Sequence, residues 1–131
     1  MMLATFVQRS QTNMDASPGG WTDVCALDDV LPGTGGAALV EGMQIAIVRT
    51  RDGRVFALSN FDPFSKAFVI ARGIVGDKGG VVKIASPIYK QSFSLETGEC
   101  LDDPNVRLAT YPVRVVAGRI QVAVDVGSEP A

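Results

Sequence analysis

The chain has 131 residues, 47% of them hydrophobic and 20% charged, with a net charge of −2. That length suits one domain with a real core, and the scattered basic residues and slight negative balance argue against a nucleic-acid binder held by phosphate contacts. There is no histidine and only two cysteines, Cys25 and Cys100, too few for a disulfide framework or for a tetrahedral Cys/His metal centre.

Residues 1–20 are expected to form a flexible tail. Met2 to Val7 is too short and too weakly basic for a signal peptide, and the Ser, Thr, Asn, Gln and Gly that follow favour disorder. Without a signal, the default location is the cytoplasm. No apolar run approaches the roughly 18 residues that a membrane helix needs. From residue 21 to 125, short apolar segments between turn signals predict one all-β domain, a sandwich or barrel of about nine or ten strands, nearly all antiparallel.

Trp21 to Val24 alternates and opens the first strand, and Ala26 to Leu31 reads as a brief helical turn. Pro32, Gly33, Gly35 and Gly36 read as breakers before a strand over Ala37 to Val40. Gln44 to Arg49 is a continuous apolar run of the kind buried on both faces. Asp52-Gly53 predicts a tight hairpin into Arg54 to Ser59, with positive φ angles at the turn. The stretch from Ser65 to Gly80 is irregular, then Val81 to Ala85 forms a strand. Ser92 to Leu95 alternates with Phe93 and Leu95 inward, and Thr97-Gly98 turns it into Glu99 to Leu101. A last hairpin pairs Tyr111 to Val116 with Arg119 to Val124, placing Val113 and Val115 on one face and Arg114 on the other. Residues 126–131 are expected as a second flexible tail.

Few residues invite a catalytic reading. Gly73, Gly76, Gly79 and Gly80 lack the preceding strand and following helix of a dinucleotide loop, and no Gly-Lys-Ser/Thr ends them. They read as a flexible β connection. Arg72 beside them carries a five-donor fork suited to pinning a loop or a partner carboxylate. Asp102 and Asp103 precede Pro104 and read as a solvated turn, without the acidic spacing of a calcium loop. Cys25 is expected as a buried thiol and Cys100, just after a glycine turn, nearer the surface. Neither has a histidine to activate it.

Two segments resemble the metal loops of a Rieske domain with the ligands replaced. Such a domain carries Cys-x-His in one loop and Cys-x-x-His in the other, two thiolates on one iron and two imidazoles on its neighbour. In Asn60-Phe61-Asp62-Pro63-Phe64-Ser65, Asp62 and Phe64 stand at the first pair of positions. In Ser86-Pro87-Ile88-Tyr89-Lys90, Ser86 and Tyr89 stand at the second. Hydroxyls substitute poorly for thiolates, and phenylalanine has no donor atom.

Those loops, with Arg72 to Gly76, Ala85 to Gln91, Phe93 to Pro104 and Tyr111 to Arg114, resemble the small subunit of bacterial assimilatory NAD(P)H-dependent nitrite reductase over roughly Trp21 to Val124. The resemblance implies a Rieske-like β fold with a vestigial cluster-binding subdomain and no cofactor on this chain. It also implies a cytoplasmic partner, the large subunit, that carries FAD, siroheme and an iron–sulfur cluster and reduces nitrite to ammonium. Whether NADH or NADPH is used is a property of that partner. No catalytic residue is assigned here, and the chain is expected to act by docking. At the former cluster tip, Phe61, Pro63, Pro87, Ile88 and Tyr89 are interface candidates with Arg72 and Lys90, because aromatics concentrate at hot spots. Phe64 and Tyr89 have a competing role, filling the space of the absent cluster, with Asp62 and Ser86 hydrogen-bonded across it. A free-standing Rieske-like adapter for another reductase or oxygenase is the alternative.

Overall fold

In the computed structural model, residues 20–124 are described; apart from Gly20, the expected tails lie outside them. The strands are β1 (Trp21–Ala26), β2 (Thr34–Val40), β3 (Met43–Arg49), β4 (Val55–Ser59), β5 (Phe61–Asp62), β6 (Ala67–Phe68), β7 (Ile74–Lys78), β8 (Val81–Ala85), β9 (Ser92–Ser94), β10 (Thr110–Tyr111), β11 (Val113–Val116) and β12 (Arg119–Ala123). Short 3-10 turns occupy Leu27–Asp29, as expected, and Ile70–Arg72. All the strand pairings are antiparallel. The twelve strands among the described residues exceed the expected number because β5, β6 and β10 have two residues each, too short to show a period, and because β7 lies in the stretch read as irregular.

Strand β3 organises the molecule. It sits inside the four-stranded sheet β10-β4-β3-β2. Ile45 and Ile47 face one core and Ala46 and Val48 the other, all four no more than 1% exposed. The unbroken apolar run therefore reports a strand covered on both sides. The first core lies between this sheet and the sheet β1-β12-β11, where Val24, Ile120 and Val122 meet Val40, Ile45 and Ile47. The second gathers Leu58, Ile70, Ile84, Phe93 and Leu95 between β3–β4 and the sheet β7-β8-β9. Pro112, which has no N–H for a sheet ladder, marks where the chain leaves the first sheet at β10 for β11 in the second.

Three two-residue hairpins carry left-handed φ at both loop positions, at Glu41-Gly42, Gly79-Gly80 and Ala117-Gly118. That is the geometry matching the right-handed twist of the strands. The Asp52-Gly53 turn differs from expectation. Gly53 N–H donates to Thr50 O at 3.0 Å, and of the pair only Gly53 is left-handed, at φ 96. This is a type I turn followed by a glycine bulge.

Other expectations need correction. The stretch read as irregular contains β7, in register with β8 from Ile74↔Ala85 to Lys78↔Val81. Its alternation is hidden because the face of Ile74 is exposed although apolar, and Gly76 leaves a gap in it. Gly35 and Gly36 belong to β2 and do not break it. A Cβ on Gly35 would come within 2.8 Å of Ala71 O, so this strand runs directly against the second 3-10 turn. The faces of β11 are as expected: Val113 and Val115 stand opposite the buried Val122 and Ile120, and Arg114 opposite Gln121 on the other side, although Val115, on this edge strand, stays 43% exposed. The cysteines are reversed: Cys100 is buried in the second core, and Cys25 is only half-buried beside the first. The turn at Thr97-Gly98 folds Cys100 inward, with its N–H on Val106 O at 2.9 Å.

Candidate functional site

The two loops leave the second core side by side. The first follows β4, where Asn60 anchors it. Asn60 Oδ1 accepts the Ala71 N–H at 2.7 Å, and Asn60 O accepts the Ile70 N–H at 3.1 Å, which fixes the 3-10 turn against the loop base. The second loop follows β8. Gly73 lies so close that a Cβ there would stand 2.3 Å from Ala85 O. The segment leading out of the 3-10 turn is thus held against the residue preceding Ser86.

At the centre sits Asp62, fully buried. Its carboxylate accepts hydrogen bonds from Ser86 Oγ (2.6 Å), Ser65 Oγ (2.9 Å) and the Phe64 N–H (2.9 Å). Ser86, 1% exposed, also accepts the Ile88 N–H at 3.3 Å. The hydrogen bond expected between the loops is therefore present. Burial pushes the Asp62 pKa up, but the bonds from Ser86, Phe64 and Ser65 together outweigh it and hold the carboxyl below its ordinary value. A carboxylate with several donors is stabilised in its charged form.

The residues expected at the former ligand positions divide. Phe64 turns inward against the second core, its ring 6.2 Å from that of Phe93. Tyr89 does not fill the interior; it is 58% exposed. Among the interface candidates, Ile88 is 45% exposed, Arg72 and Lys90 are exposed, and Phe61, Pro63 and Pro87 are half-buried. Phe68, 51% exposed, stacks edge-on to Phe61 with ring centroids 5.1 Å apart. Phe68 and Ile74, 69% exposed, are tip residues that sequence reasoning missed. An apolar side chain in an irregular stretch carries no periodic signal that it faces outward.

With this geometry in view, likeness to known proteins becomes interpretable. Residues 20–123 match the family of Rieske-like [2Fe-2S] domains. Over 103 residues the chain is 43% identical to the NADH nitrite reductase small subunit of Salmonella typhimurium, covering 78% of this chain and 95% of that one. The chain belongs to the nitrite reductase small-subunit family, on a Rieske-like all-β fold. The solution structure of the NAD(P)H nitrite reductase small subunit from Erwinia carotovora is 46% identical and superposes with a TM-score of 0.71, covering 85% of each chain. The NAD(P)H nitrite reductase large subunit of Klebsiella oxytoca contains a similar stretch, 35% identical over 120 residues, taking in 92% of this chain and 12% of that one.

The cluster in the domain family's description does not fit this small-subunit chain. Asp62 is engaged by three donors, Phe64 has no donor atom, and Tyr89 points to the surface. Cys25 lies in β1 and Cys100 is bridged to Phe93, neither in a loop of the tip. Among the described residues, no three His, Cys, Asp or Glu side chains come together as a metal site. The Asp102–Asp103 pair is a turn: Asp102 caps the Ser92 N–H at 2.9 Å and Asp103 the Asn105 N–H at 3.0 Å. Burial and the nearby Asp29 push the Cys25 thiol up to about 11, so it is a poor nucleophile at neutral pH. Among the described residues, no helix is long and apolar enough to cross a membrane.

Proposed function

We propose that this chain is the small, cofactor-free subunit of a cytoplasmic nitrite reductase that reduces nitrite to ammonium with NAD(P)H. It acts by docking its loop tip on a large subunit that holds the FAD, siroheme and iron–sulfur cluster. The observation that carries this reading is the stretch of the Klebsiella large subunit similar to 92% of this chain. A domain that occurs separately in one relative and covalently joined in another has a standing requirement to sit beside the same partner. The donor set supports the cofactor-free part, since a Rieske cluster requires two thiolates and two imidazoles and the chain has no histidine. The exposed Ile88 and Tyr89 and the Phe61–Phe68 pair support the tip as the docking face.

The test is nitrite-dependent NADH and NADPH oxidation by the purified large subunit, with and without this chain. A faster or longer-lived activity on addition, with a stable complex on gel filtration, is the expected result. No complex and no effect on rate or lifetime, with both proteins folded, would overturn the reading. Incubation of this chain with iron and sulfide is expected to leave it without a visible absorption band.

A further inference from the structure

We propose that the face presented to the large subunit is cationic as well as apolar, with Lys66 and Lys90 at its rim, and that it meets an acidic surface on that partner. The inference rests on the docking reading above and adds the charge of the surface that receives the tip.

The two loops are built alike. In Asp62-Pro63-Phe64-Ser65-Lys66 and Ser86-Pro87-Ile88-Tyr89-Lys90 the first side chain accepts the N–H two residues on, from Phe64 at 2.9 Å and from Ile88 at 3.3 Å. Each loop then closes through its lysine: Lys66 N–H donates to Asp62 O at 2.7 Å and Lys90 N–H to Ser86 O at 3.0 Å. Both lysines are left-handed, at φ 63 and 68. A side chain there costs about 1–2 kcal/mol that glycine avoids. Loop closure alone would be served better by glycine, so what the lysines add is their ammonium groups.

Nothing in the tip neutralises them. Lys66 and Lys90 are exposed and have no ion-pair partner among the described residues. From Asn60 to Gly76 and from Ala85 to Gln91 the one carboxylate is Asp62, buried and committed to its three donors. Arg72, exposed, adds a third cation. The tip is thus positive on a chain whose net charge is −2. Asp23, Asp28, Asp29 and Glu41 lie on the strand and turns around the first core instead. Phe68, Ile74, Ile88 and Tyr89, each 45–69% exposed, supply apolar surface on the same segments. A partner that buries these side chains must bring carboxylates to the lysines, since like charges across an interface are strongly disfavoured.

The experiment is surface plasmon resonance of this chain on immobilised large subunit, across salt concentrations. Three variants are compared with the unmodified chain: Lys66→Glu with Lys90→Glu, Lys66→Gly with Lys90→Gly, and Asp28→Lys as a control beside the first core. The expected result is association that slows as salt rises and slows about tenfold or more in the glutamate pair. The glycine pair weakens binding with no fall in thermal midpoint, a combination that loop damage would not produce. The control binds as the unmodified chain does. Binding of the unmodified chain with no response to salt or to either lysine pair would overturn the cationic face while leaving the docking reading standing. No binding of the unmodified chain at all would overturn both.

Discussion

The Ser86 hydroxyl donates to the Asp62 carboxylate at 2.6 Å, and this bond joins the two loops of the tip. The bond spans the two positions at which the sequence resemblance leads one to expect the thiolates of a Rieske domain. Ser86→Ala removes one of three donors from a buried charge and leaves the Ile88 N–H without its acceptor. A loss of about 1–3 kcal/mol is expected, measured as a lower urea midpoint. Combining Ser86→Ala with Asp62→Asn should cost less than the sum of the single changes, because the shared bond is lost only once. Strict additivity would show that the bond does not couple the loops.

The same carboxylate sets an acid limit. Its folded pKa lies below the ordinary value despite burial, because Ser86, Phe64 and Ser65 donate to it. A depressed carboxylate contributes stability that is fully present above its unfolded pKa and is lost as pH falls through the folded one. Asp52, held low by the Thr50 hydroxyl and then by Arg54, acts in the same direction at the surface. Urea midpoints should therefore be flat above about pH 5 and fall below about pH 4. Asp62→Asn should flatten part of that acid limb, and an unchanged limb would remove Asp62 as its source.

Glycines in the region between Asn60 and Leu108 are not equivalent. A Cβ on Gly73 would meet Ala85 O at 2.3 Å, and one on Gly98, at φ 81, would meet Leu108 O at 2.1 Å. Both obstacles are backbone and cannot rotate away. Gly73→Ala and Gly98→Ala should each cost about 3 kcal/mol. Gly76, with open space where a Cβ would go and no left-handed φ, should tolerate alanine within about 0.5 kcal/mol. Chemical denaturation of the three variants checks the ranking.

The thiols should be quiet in the native protein. With its pKa pushed up to about 11 by burial and the nearby Asp29, Cys25 stays almost wholly protonated at pH 8. Cys100 is shielded by the second core. Iodoacetamide at pH 8 should label both slowly when folded and both quickly in urea. Rapid native labelling of Cys100 would contradict its burial.

Much of this was legible in the chain, for reasons specific to each segment. The run from Gln44 to Arg49 identifies a strand covered on both faces because nothing polar interrupts it, and β3 is that strand. The hydrogen bond between Asp62 and Ser86 was legible from residue chemistry: a hydroxyl and a carboxylate hold iron poorly beside thiolates, but they bond readily to one another. What stayed hidden depends on three-dimensional direction. Ile74 and Phe68 look like core residues and are exposed, while Ser92 and Ser94 look like surface and are buried. Cys100 turns inward because its ladder runs to Phe93 and Val106. The two loops share a pattern of Asp or Ser, then Pro, two residues and Lys, which sequence reasoning missed. Its meaning appears only when the two lysines are found closing equivalent turns.

Tyr89 offers the sharpest probe of docking through the tip. It is 58% exposed, so Tyr89→Ala should leave the urea midpoint within about 0.5 kcal/mol. Phe61→Ala is less clean, because losing the edge-on contact with Phe68 should cost about 0.5–1.5 kcal/mol of stability on its own. If the tip is the interface, Tyr89→Ala should weaken binding to the large subunit about tenfold, the scale of an aromatic anchor whose truncation exceeds 1 kcal/mol. Tyr89→Phe should retain much of the affinity, since most of the ring's contact area survives. Co-purification and gel filtration at matched concentrations read the difference. Full binding by Tyr89→Ala and Phe61→Ala together would move the interface to another face, because no folding defect can account for an unchanged affinity.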